Sequence, residues 1–442
     1  MVKTKYGLIE GMEHEDYTEY RGIPYAKPPV GALRWKAPQE PQKWDGVLEA
    51  KQFAAKCPQE EVSPDTPWGG FFYREFYADP AYNVPMDEDC LYLNIYAPNT
   101  QNDKKLPVAF WIHGGGFGGG YGCEMEFDGA QYCKRDVILV TIQYRLNIFG
   151  FLAHPWLDAE SETNTSGNYG ILDQIAALKW VHENIEAFGG DPDNITVFGQ
   201  SAGSMSTQVL ISSDLTKGMI RKAIMQSGIA AENQKLLFTP TLAQEEEVGE
   251  LFVRETGASN LEELRALPWK KVLACKQKFD VAAMDLGVGL CLVPNADGIL
   301  LKDTVKECYR KGEFQHIPYM LGCVIDDLGC TPDQVRAKEK GPLYAENEAF
   351  AQKCDALGIP AYVYYMPHEL HDEDGKTKPA FHSAELWYTF GTYDRCWREM
   401  DEHDRSLSES MLDAWTAFMK TSEPGSDWQQ YTKTQPFVKV FE

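Results

Sequence analysis

The sequence contains no run of eighteen apolar residues, the length that a membrane-spanning helix needs. Its first residues, MVKTKYGLIEG, also lack the apolar segment of a secretory signal, which predicts a cytoplasmic protein, although a processed secreted protein would show the same absence. Basic residues are few: 42 Lys and Arg oppose 66 Asp and Glu, a formal net charge of -24. Because this charge repels phosphate backbones and anionic lipids, we expect neither nucleic acid nor membrane as a partner.

Metal-binding and linker patterns are absent too. None of the eleven cysteines lies in a CxxC or Cys/His spacing typical of zinc sites, and an odd number cannot all pair, so we interpret most of them as buried thiols. No repeat, low-complexity tract or Pro/Ser-rich linker divides the chain. We therefore predict one domain over residues 1–442, with no metal and no cofactor.

Short β-rich runs alternate with helical stretches, as in a large, mainly parallel central sheet covered by helices on both faces, so the sequence predicts an α/β fold. The clearest strands are 106–112, 137–144, 194–199, 221–226, 318–325 and 360–366. Apolar residues at helical spacing between the second and third strands predict a helix that ends before Gly189 and Gly190. Residues around 230–317 are predicted to form helical excursions that line a pocket beside the sheet.

A glycine-flanked serine follows the third strand, where the chain reads GQSAG (199–203) and continues into the helix-like SMSTQVLIS. This is the G-x-S-x-G pattern of α/β-hydrolases in its strand-turn-helix context, where the chain reverses so sharply that larger residues two positions either side of the serine would collide. Ser201 is therefore the candidate nucleophile. The alternative is a serine that merely caps a helix, and the pattern alone favours neither interpretation.

A run of glycines follows the first strand, in WIHGGGF (111–117). Backbone N–H groups approach a tetrahedral oxyanion only where no side chain intervenes, which such a run provides. We assign the donors to the N–H groups of Gly115, Gly116 and Ala202. Glycine-rich loops also cradle phosphates, but this one lacks the Lys-Ser/Thr ending of a P-loop and the spacing of a dinucleotide-binding fingerprint.

In α/β-hydrolases three catalytic residues follow one another along the chain in the order serine, acid and histidine. We therefore expect the histidine that acts as general base to come last. His382 lies in KPAFHSAELWYTFG, after the last strong strand and before a helix, where a base would be held. The other later histidines fit less well. His316 precedes the strand expected to carry the acid, and His403 lies in the charged run DEHDR. His368 and His371 lie in PHELHDEDG, which lacks HExxH spacing and is predicted to be a solvated turn.

Two candidate acids, Asp326 and Asp327, come at the end of the fifth strand, where the sheet edge is expected. Adjacent residues at a strand end point in different directions, so only one can accept the Nδ1 proton of His382. We choose Asp327 and expect Asp326 to cap the following loop. Such a carboxylate fixes the imidazole tautomer and stabilises the imidazolium that forms when Ser201 gives up its proton.

These segments together resemble the type-B carboxylesterase family, which includes cholinesterases and bacterial para-nitrobenzyl esterases. The likeness extends over nearly the whole chain, and its most specific parts are EDCLYLN (88–94) and the extended FGQSAG segment (198–203). The resemblance implies an α/β-hydrolase fold and the triad Ser201, Asp327 and His382. It also implies hydrolysis of carboxylic esters through an acyl-enzyme without a cofactor.

The resemblance implies supporting residues as well. Ser227 in MQSG and Glu385 in HSAE match a pair expected to support the triad. Cys57 and Cys90 match a frequent disulfide of the family, which a reducing cytoplasm would keep open. Gln200 replaces the Glu that cholinesterases carry beside the serine, which argues against a cholinesterase.

Two further features bear on the substrate. The segment between the acid and the histidine is shorter than in animal members of the family, which predicts a more open site. The loop 57–90, called the aromatic loop below, contains Trp68, Phe71, Phe72, Tyr73, Phe76, Tyr77 and Tyr82. These side chains either form a pocket rim that favours apolar or aromatic substrates or simply pack the loop onto the body.

We therefore predict a carboxylesterase of bacterial type that acts on a small-molecule ester. A feruloyl or other hydroxycinnamoyl esterase is the specialised alternative, motivated by the aromatic loop. A binding or adhesion protein on the same fold, without catalysis, is the remote alternative. The sequence leaves open the natural ester and the choice between a monomer and a small homo-oligomer.

Overall fold

A computed structural model describes residues 1–99, 104–233, 239–285, 291–372 and 375–442. At residues 67, 68, 282, 284 and 285 it describes the backbone alone. The predicted rim side chain of Trp68 therefore lies outside the described part of the chain, as do segments of the predicted excursions.

The centre of the molecule is a ten-stranded sheet. Its strands in chain order are β1 (Met12–Glu13), β2 (Tyr17–Pro24), β3 (Tyr92–Pro98), β4 (Leu106–Ile112), β5 (Ile138–Ile142), β6 (Gly190–Gln200), β7 (Lys222–Gln226), β8 (Tyr319–Val324), β9 (Ala361–Met366) and β10 (Val438–Val440). They lie side by side in the order β10-β9-β8-β7-β6-β4-β5-β3-β2-β1. Strands β4 to β10 are parallel, and β1 to β3 add antiparallel strands at one edge. The predicted mainly parallel sheet is confirmed.

Four of the parallel strands are buried along their whole length because both faces of the sheet are covered there. Every residue of β5, β7, β8 and β9 is buried. The six predicted strands all occur, the first with its predicted ends and the other five with shifted ends. The third begins earlier than predicted, at Gly190, because its pairing with β4 extends to Leu106.

The helices surround this sheet. In the described residues they are α1 (Pro67–Phe72), α2 (Ala130–Cys133), α3 (Asn147–Phe151), α4 (Pro155–Asp158), α5 (Tyr169–Asn184), α6 (Ala202–Ser212), α7 (Leu242–Thr256), α8 (Leu261–Ala266), α9 (Trp269–Asp285), α10 (Val305–Lys311), α11 (Pro332–Arg336), α12 (Pro342–Ala356), α13 (Leu386–Thr389) and α14 (Glu402–Thr421). Helix α6 packs on β6 and β7, and α14 packs on β4 and β6. None of the described helices is long and apolar enough to cross a membrane.

Shorter elements complete the fold. A three-stranded sheet joins Val2–Lys3, Leu8–Glu10 and Val47–Glu49, and a hairpin pairs Glu369–His371 with Thr377–Pro379. A π-helical turn spans Tyr73–Tyr77 in the aromatic loop. Short 3-10 turns lie at Gly31–Leu33, Pro80–Tyr82, Ile185–Phe188, Asp214–Thr216 and Tyr393–Arg395.

The predicted helical excursions are α7 to α10. Helix α7 begins with a capping box, in which Thr241 and Gln244 satisfy each other's backbone N–H groups, and it packs against α9. Thr239, Pro294 and Val305 of this region line a cavity shared with α6. Residues of this region thus line a cavity beside α6, and the role of the excursions in lining the substrate pocket stays a prediction.

Candidate active site

The serine of the glycine-flanked segment lies at the turn between β6 and α6. Ser201 has φ 56° and ψ -124°, a conformation that residues other than glycine rarely adopt. A Cβ on Gly199 would lie 2.4 Å from the carbonyl carbon of Gly203, and a Cβ on Gly203 would lie 2.0 Å from the oxygen of Ile112. Both flanking positions therefore require glycine, because the chain passes too close to itself for a side chain.

The imidazole of His382 lies between this serine and an aspartate. Its Nε2 is 2.8 Å from Ser201 Oγ, and its Nδ1 is 2.6 Å from Asp327 Oδ1. The loop that carries the imidazole is held just after β8, where the backbone N–H of His382 donates to the backbone carbonyl oxygen of Asp326 at 2.9 Å. The three side chains form a hydrogen-bonded series in which a base can take the serine proton.

Burial and charge have opposite effects on the pKa values of Asp327 and His382. Burial alone would raise the pKa of Asp327, but the charge of His382 and hydrogen bonds from His382 and Ser227 hold that pKa below its ordinary value. Burial alone would lower the pKa of His382, but the charge and hydrogen bond of Asp327 raise it above its ordinary value. The pair therefore favours an ionised aspartate and stabilises the imidazolium that proton transfer creates.

Ser227 links two buried carboxyl groups. Its Oγ lies 2.6 Å from Asp327 Oδ2 and 3.1 Å from Glu385 Oε1. Burial, together with the charge of Asp327, raises the pKa of Glu385 to about 7. A partly protonated Glu385 reduces the repulsion between the two carboxyl groups, so negative charge concentrates on the aspartate that faces His382.

The loop after β4 passes directly beside the nucleophile. A Cβ on Gly114 would lie 3.2 Å from the Cβ of Ser201. Gly115 and Gly116 both have positive φ, and a Cβ on Gly116 would meet open space. Among the described residues, no acceptor takes the backbone N–H groups of Gly115, Gly116 or Ala202. These three donors are therefore free to bind an oxyanion.

Comparison with known proteins identifies the family. The model of the carboxylesterase family matches residues 1–346 and 343–441. The chain belongs to the carboxylesterase family. It is 34% identical over 476 residues to para-nitrobenzyl esterase of Bacillus subtilis (strain 168), covering 98% of this chain and 92% of that protein.

Solved structures agree with this assignment. A thermophilic PNB esterase is similar with a TM-score of 0.84 at 31% identity, over 100% of this chain and 95% of that chain. An esterase from Clostridium hathewayi, described as able to hydrolyse aliphatic aromatic polyesters, is similar with a TM-score of 0.83 at 26% identity, over 100% and 93%. The predicted α/β-hydrolase fold and the prediction of a serine carboxylesterase are confirmed.

Sequence reasoning missed one residue of this carboxylesterase's site. His113 is buried, stacks on Tyr144 at 4.4 Å between ring centroids, and has its Nδ1 2.9 Å from the Gly114 oxygen. Burial lowers the pKa of His113 to about 4, so the ring is neutral at pH 7. The ring and the Tyr144 hydroxyl, which donates to the His113 oxygen at 3.0 Å, hold the start of the glycine loop. The available signal was the position of His113 between a buried strand and the glycines.

Two sequence predictions near the site were wrong. Asp326 is exposed, and its side chain accepts no N–H from the described part of the following loop; the N–H of Leu328 instead donates to Asp327 Oδ1 at 2.8 Å. His368 does not lie in a solvated turn, because it is buried beside a hairpin with its Nε2 2.7 Å from Asp404 Oδ1. The side chain of His368 is placed by a carboxylate 36 positions further along the chain, a contact that the local pattern does not reveal.

A group of side chains that could hold a metal ion lies at the start of α14. The ligand atoms of His371, Asp401 and Asp404 lie within 4.8 Å of one another. The oxygens of Asp404, however, already accept hydrogen bonds from the Tyr388 hydroxyl and the Asp401 N–H. This is the capping box of a helix, and we assign no metal to it.

The two cysteines of the predicted disulfide carry free thiols in this structure. Cys57 and Cys90 are both buried, and the hydrogen bond between them, together with burial, raises the pKa of Cys90 well above its ordinary value. Cys57 Sγ also accepts the N–H of Leu146 at 3.3 Å. The disulfide therefore stays a prediction that the structure does not show.

The aromatic loop packs onto the body of the molecule, and its role as a pocket rim stays a prediction. Phe76 is buried and stacks on Trp387 at 5.6 Å, which packs the loop onto the body. Phe71 is only partly buried and meets the ring of Phe381 edge-on at 4.8 Å. Phe381 directly precedes His382, so the outer part of the loop lies close to the imidazole.

Proposed function

We propose that Ser201 attacks the carbonyl carbon of an ester while His382 takes its proton and Asp327 holds the imidazole in the required tautomer. The observation that carries this proposal is the pair of contacts made by the one imidazole, 2.8 Å to Ser201 Oγ and 2.6 Å to Asp327 Oδ1. The strained backbone at the serine supports it, because such strain concentrates at functional sites.

The backbone donors complete the reaction. The N–H groups of Gly115, Gly116 and Ala202 bind the oxyanion of the tetrahedral intermediate, and loss of one such donor typically costs 10²- to 10³-fold in rate. His382 then protonates the departing alcohol, which leaves an acyl group on Ser201. In the second half of the reaction the imidazole activates water, and the acid is released.

Organophosphate labelling tests this proposal. We expect stoichiometric modification of Ser201 in the native enzyme and none in a Ser201→Ala variant, with loss of ester turnover in both the labelled enzyme and the variant. The variant should remain folded, because a serine hydroxyl is exchanged for hydrogen. An unlabelled but folded native protein would instead support a binding protein on the same fold.

We further propose a small-molecule ester with an aromatic group as substrate. Phe71 and Phe381 supply aromatic surface beside the imidazole, and the relative from Clostridium hathewayi is described as acting on aliphatic aromatic polyesters. The relatives described above do not favour the feruloyl alternative. Turnover of matched acetyl esters of phenol, benzyl alcohol and hexanol tests the aromatic preference, which would be contradicted by fastest turnover of the hexyl ester.

We also propose that residues 1–442 form one domain and that the enzyme works in the bacterial cytoplasm. The free state of all eleven cysteines fits a reducing compartment. A single cooperative unfolding transition would support one domain, and recovery of activity with the cytoplasmic fraction of the producing cells would support the location. Two separated transitions or secretion of the activity would contradict these proposals.

A further inference from the structure

An ion pair outside the catalytic series lies buried between the aromatic loop and the loop of the catalytic histidine. The side chains of Arg398 and Glu75 are 1% and 0% exposed. One guanidinium nitrogen of Arg398 donates to Glu75 Oε1, and another donates to the His371 oxygen at 2.8 Å. The guanidinium carbon lies 5.8 Å from the centre of the Phe381 ring and 4.4 Å from that of Trp397.

The same aromatic ring is held from the aromatic loop. Glu75 lies in the π-helical turn of that loop, and its neighbour Phe76 has its ring 6.3 Å from the ring of Phe381. Phe71 meets Phe381 edge-on at 4.8 Å. The partly buried ring of Phe381 is thus flanked by two phenylalanines and one guanidinium, and Arg398 joins the loop of the phenylalanines to the hairpin at His371.

The position of Phe381 bears directly on the catalytic base. Phe381 directly precedes His382 in the chain. The backbone on both sides of Phe381 pairs with the backbone of Asp326: the Asp326 N–H donates to the Ala380 carbonyl oxygen, and the His382 N–H donates to the Asp326 carbonyl oxygen. The next residue, Ser383, has φ 85°, which is strained for a residue other than glycine. Such a backbone persists only where the surrounding structure holds it in place.

We propose that the ion pair of Glu75 and Arg398 is a positioning element for the catalytic imidazole, acting through the ring of Phe381. This inference rests on the proposed role of His382 as the base. Buried ion pairs add little net stability compared with apolar residues of similar volume, so stability alone does not account for one here. A displacement of about 1 Å at the reacting groups can cost about 10²-fold in rate, which is the size of effect that lost positioning would produce.

The test replaces the whole pair with apolar side chains, in the double variant Glu75→Met and Arg398→Met. Removing both charges avoids an unpaired buried ion, which would destabilise the fold. The concentration of active serine is first measured by titration to completion with an organophosphate. The readouts are then kcat for phenyl acetate, expressed per titrated serine, and KM. We expect kcat per titrated serine to fall about 10²-fold, with KM changed far less, because the substrate surface is retained.

The matched control uses a second buried ion pair of the same loop. Arg34 and Glu88 are also nearly fully buried, and the guanidinium of Arg34 donates two hydrogen bonds to the carboxylate of Glu88, but neither residue contacts Phe381. The double variant Arg34→Met and Glu88→Met should therefore keep kcat per titrated serine close to that of the native enzyme. An equal loss in both double variants would overturn the proposal, because it would show general loosening of the aromatic loop.

A second variant tests the same proposal if the double variant folds poorly. Phe381→Leu removes the ring that links the ion pair to His382 while leaving both charges in place. It should also lower kcat per titrated serine, and adding it to the double variant should cause little further loss, because both changes break one link. Native kcat in Phe381→Leu, or losses that multiply, would overturn the proposal. Absence of labelling in the native enzyme would instead overturn the proposed function.

Discussion

The two adjacent aspartates at the end of β8 differ in burial and in partners. Asp327 is 6% exposed and bonded to the imidazole Nδ1, with its other oxygen accepting from Ser227 and the Val324 N–H. Asp326 faces solvent. Neighbouring residues point to opposite sides of the chain, so a shift of one residue along the strand would exchange the positions of the two aspartates.

Replacement of each aspartate by asparagine tests this difference. Asp327→Asn leaves an amide that cannot hold the Nδ1 proton in the same way, so we expect kcat to fall about 10⁴-fold. Asp326→Asn should keep nearly native kcat, since its side chain bonds to no group of the site. Steady-state kinetics with a phenyl ester provide the comparison, and a far larger loss in Asp326→Asn would show that the acid was wrongly chosen.

The pH dependence of turnover follows from the raised pKa of His382. Below that pKa the imidazole carries a proton and cannot accept one from Ser201, so activity is present above it and lost as the pH falls through it. Because Asp327 raises the pKa above its ordinary value of about 6.5, we expect the midpoint of kcat/KM to lie above pH ~6.5. A profile that stays flat from neutrality to pH ~5 would contradict His382 as the base.

At the scale of secondary structure, two neighbouring strands bring the proposed nucleophile and the proposed oxyanion donors together. Strands β4 and β6 are parallel neighbours, with Ile112 opposite Gly199. Their carboxyl ends therefore lie at the same edge of the sheet, so the glycine loop after β4 and the serine turn after β6 meet. The tight approach of Gly203 to the Ile112 oxygen keeps the two loops in register.

The glycine at this approach gives a prediction about both stability and activity. Gly203→Ala would place a methyl group 2.0 Å from the Ile112 oxygen, so we expect a loss of about 3 kcal/mol in unfolding free energy and nearly complete loss of activity. Gly218→Ala is the control, because a Cβ there meets open space and only the positive φ of 84° is strained. Its cost should be about 1 kcal/mol, without loss of activity. Urea unfolding and ester turnover distinguish the two, and equal costs would contradict the argument.

Across the whole molecule, the C-terminal helix α14 connects parts of the sheet that are far apart in the chain. Trp415 of this helix is fully buried, and its indole N–H donates to Gln226 Oε1 at 3.2 Å. Its ring lies 5.1 Å from that of Tyr364 and 5.9 Å from that of Phe441. One side chain thus joins β7, β9 and the end of the chain.

Truncation of this side chain tests how far the core depends on it. We expect Trp415→Ala to lower the unfolding free energy by about 3–5 kcal/mol, the usual cost of emptying a site filled by a large buried aromatic residue. Trp44→Ala is the control, since Trp44 is only partly buried and should cost clearly less. Chemical denaturation monitored by far-UV circular dichroism measures both, and similar losses would contradict the central role of Trp415.

Much of the site could be predicted from the sequence because its parts are local in the chain. The serine, its flanking glycines and the glycine run each follow a strand within a few residues, so their roles are readable from a short segment. The fold class was equally accessible, since alternating strand and helix patterns are set by side-chain periodicity. The ends of strands were less accurate, as at Gly190, because pairing with a neighbouring strand extends β6 beyond its apolar run.

The remaining features depend on contacts between residues far apart in the chain. Local pattern placed His382 after a strand, but its 2.8 Å approach to Ser201 requires the packing of two loops whose residues lie 181 positions apart in the chain. The burial of His368 against Asp404 and the pairing of Glu75 with Arg398 left no local signal. Residue types and spacing thus specified the chemistry and the class of fold, because both follow from short segments. Burial, charge pairing and the exact approach of reacting atoms were specified by packing, because these properties belong to pairs of residues that the chain brings together only when folded.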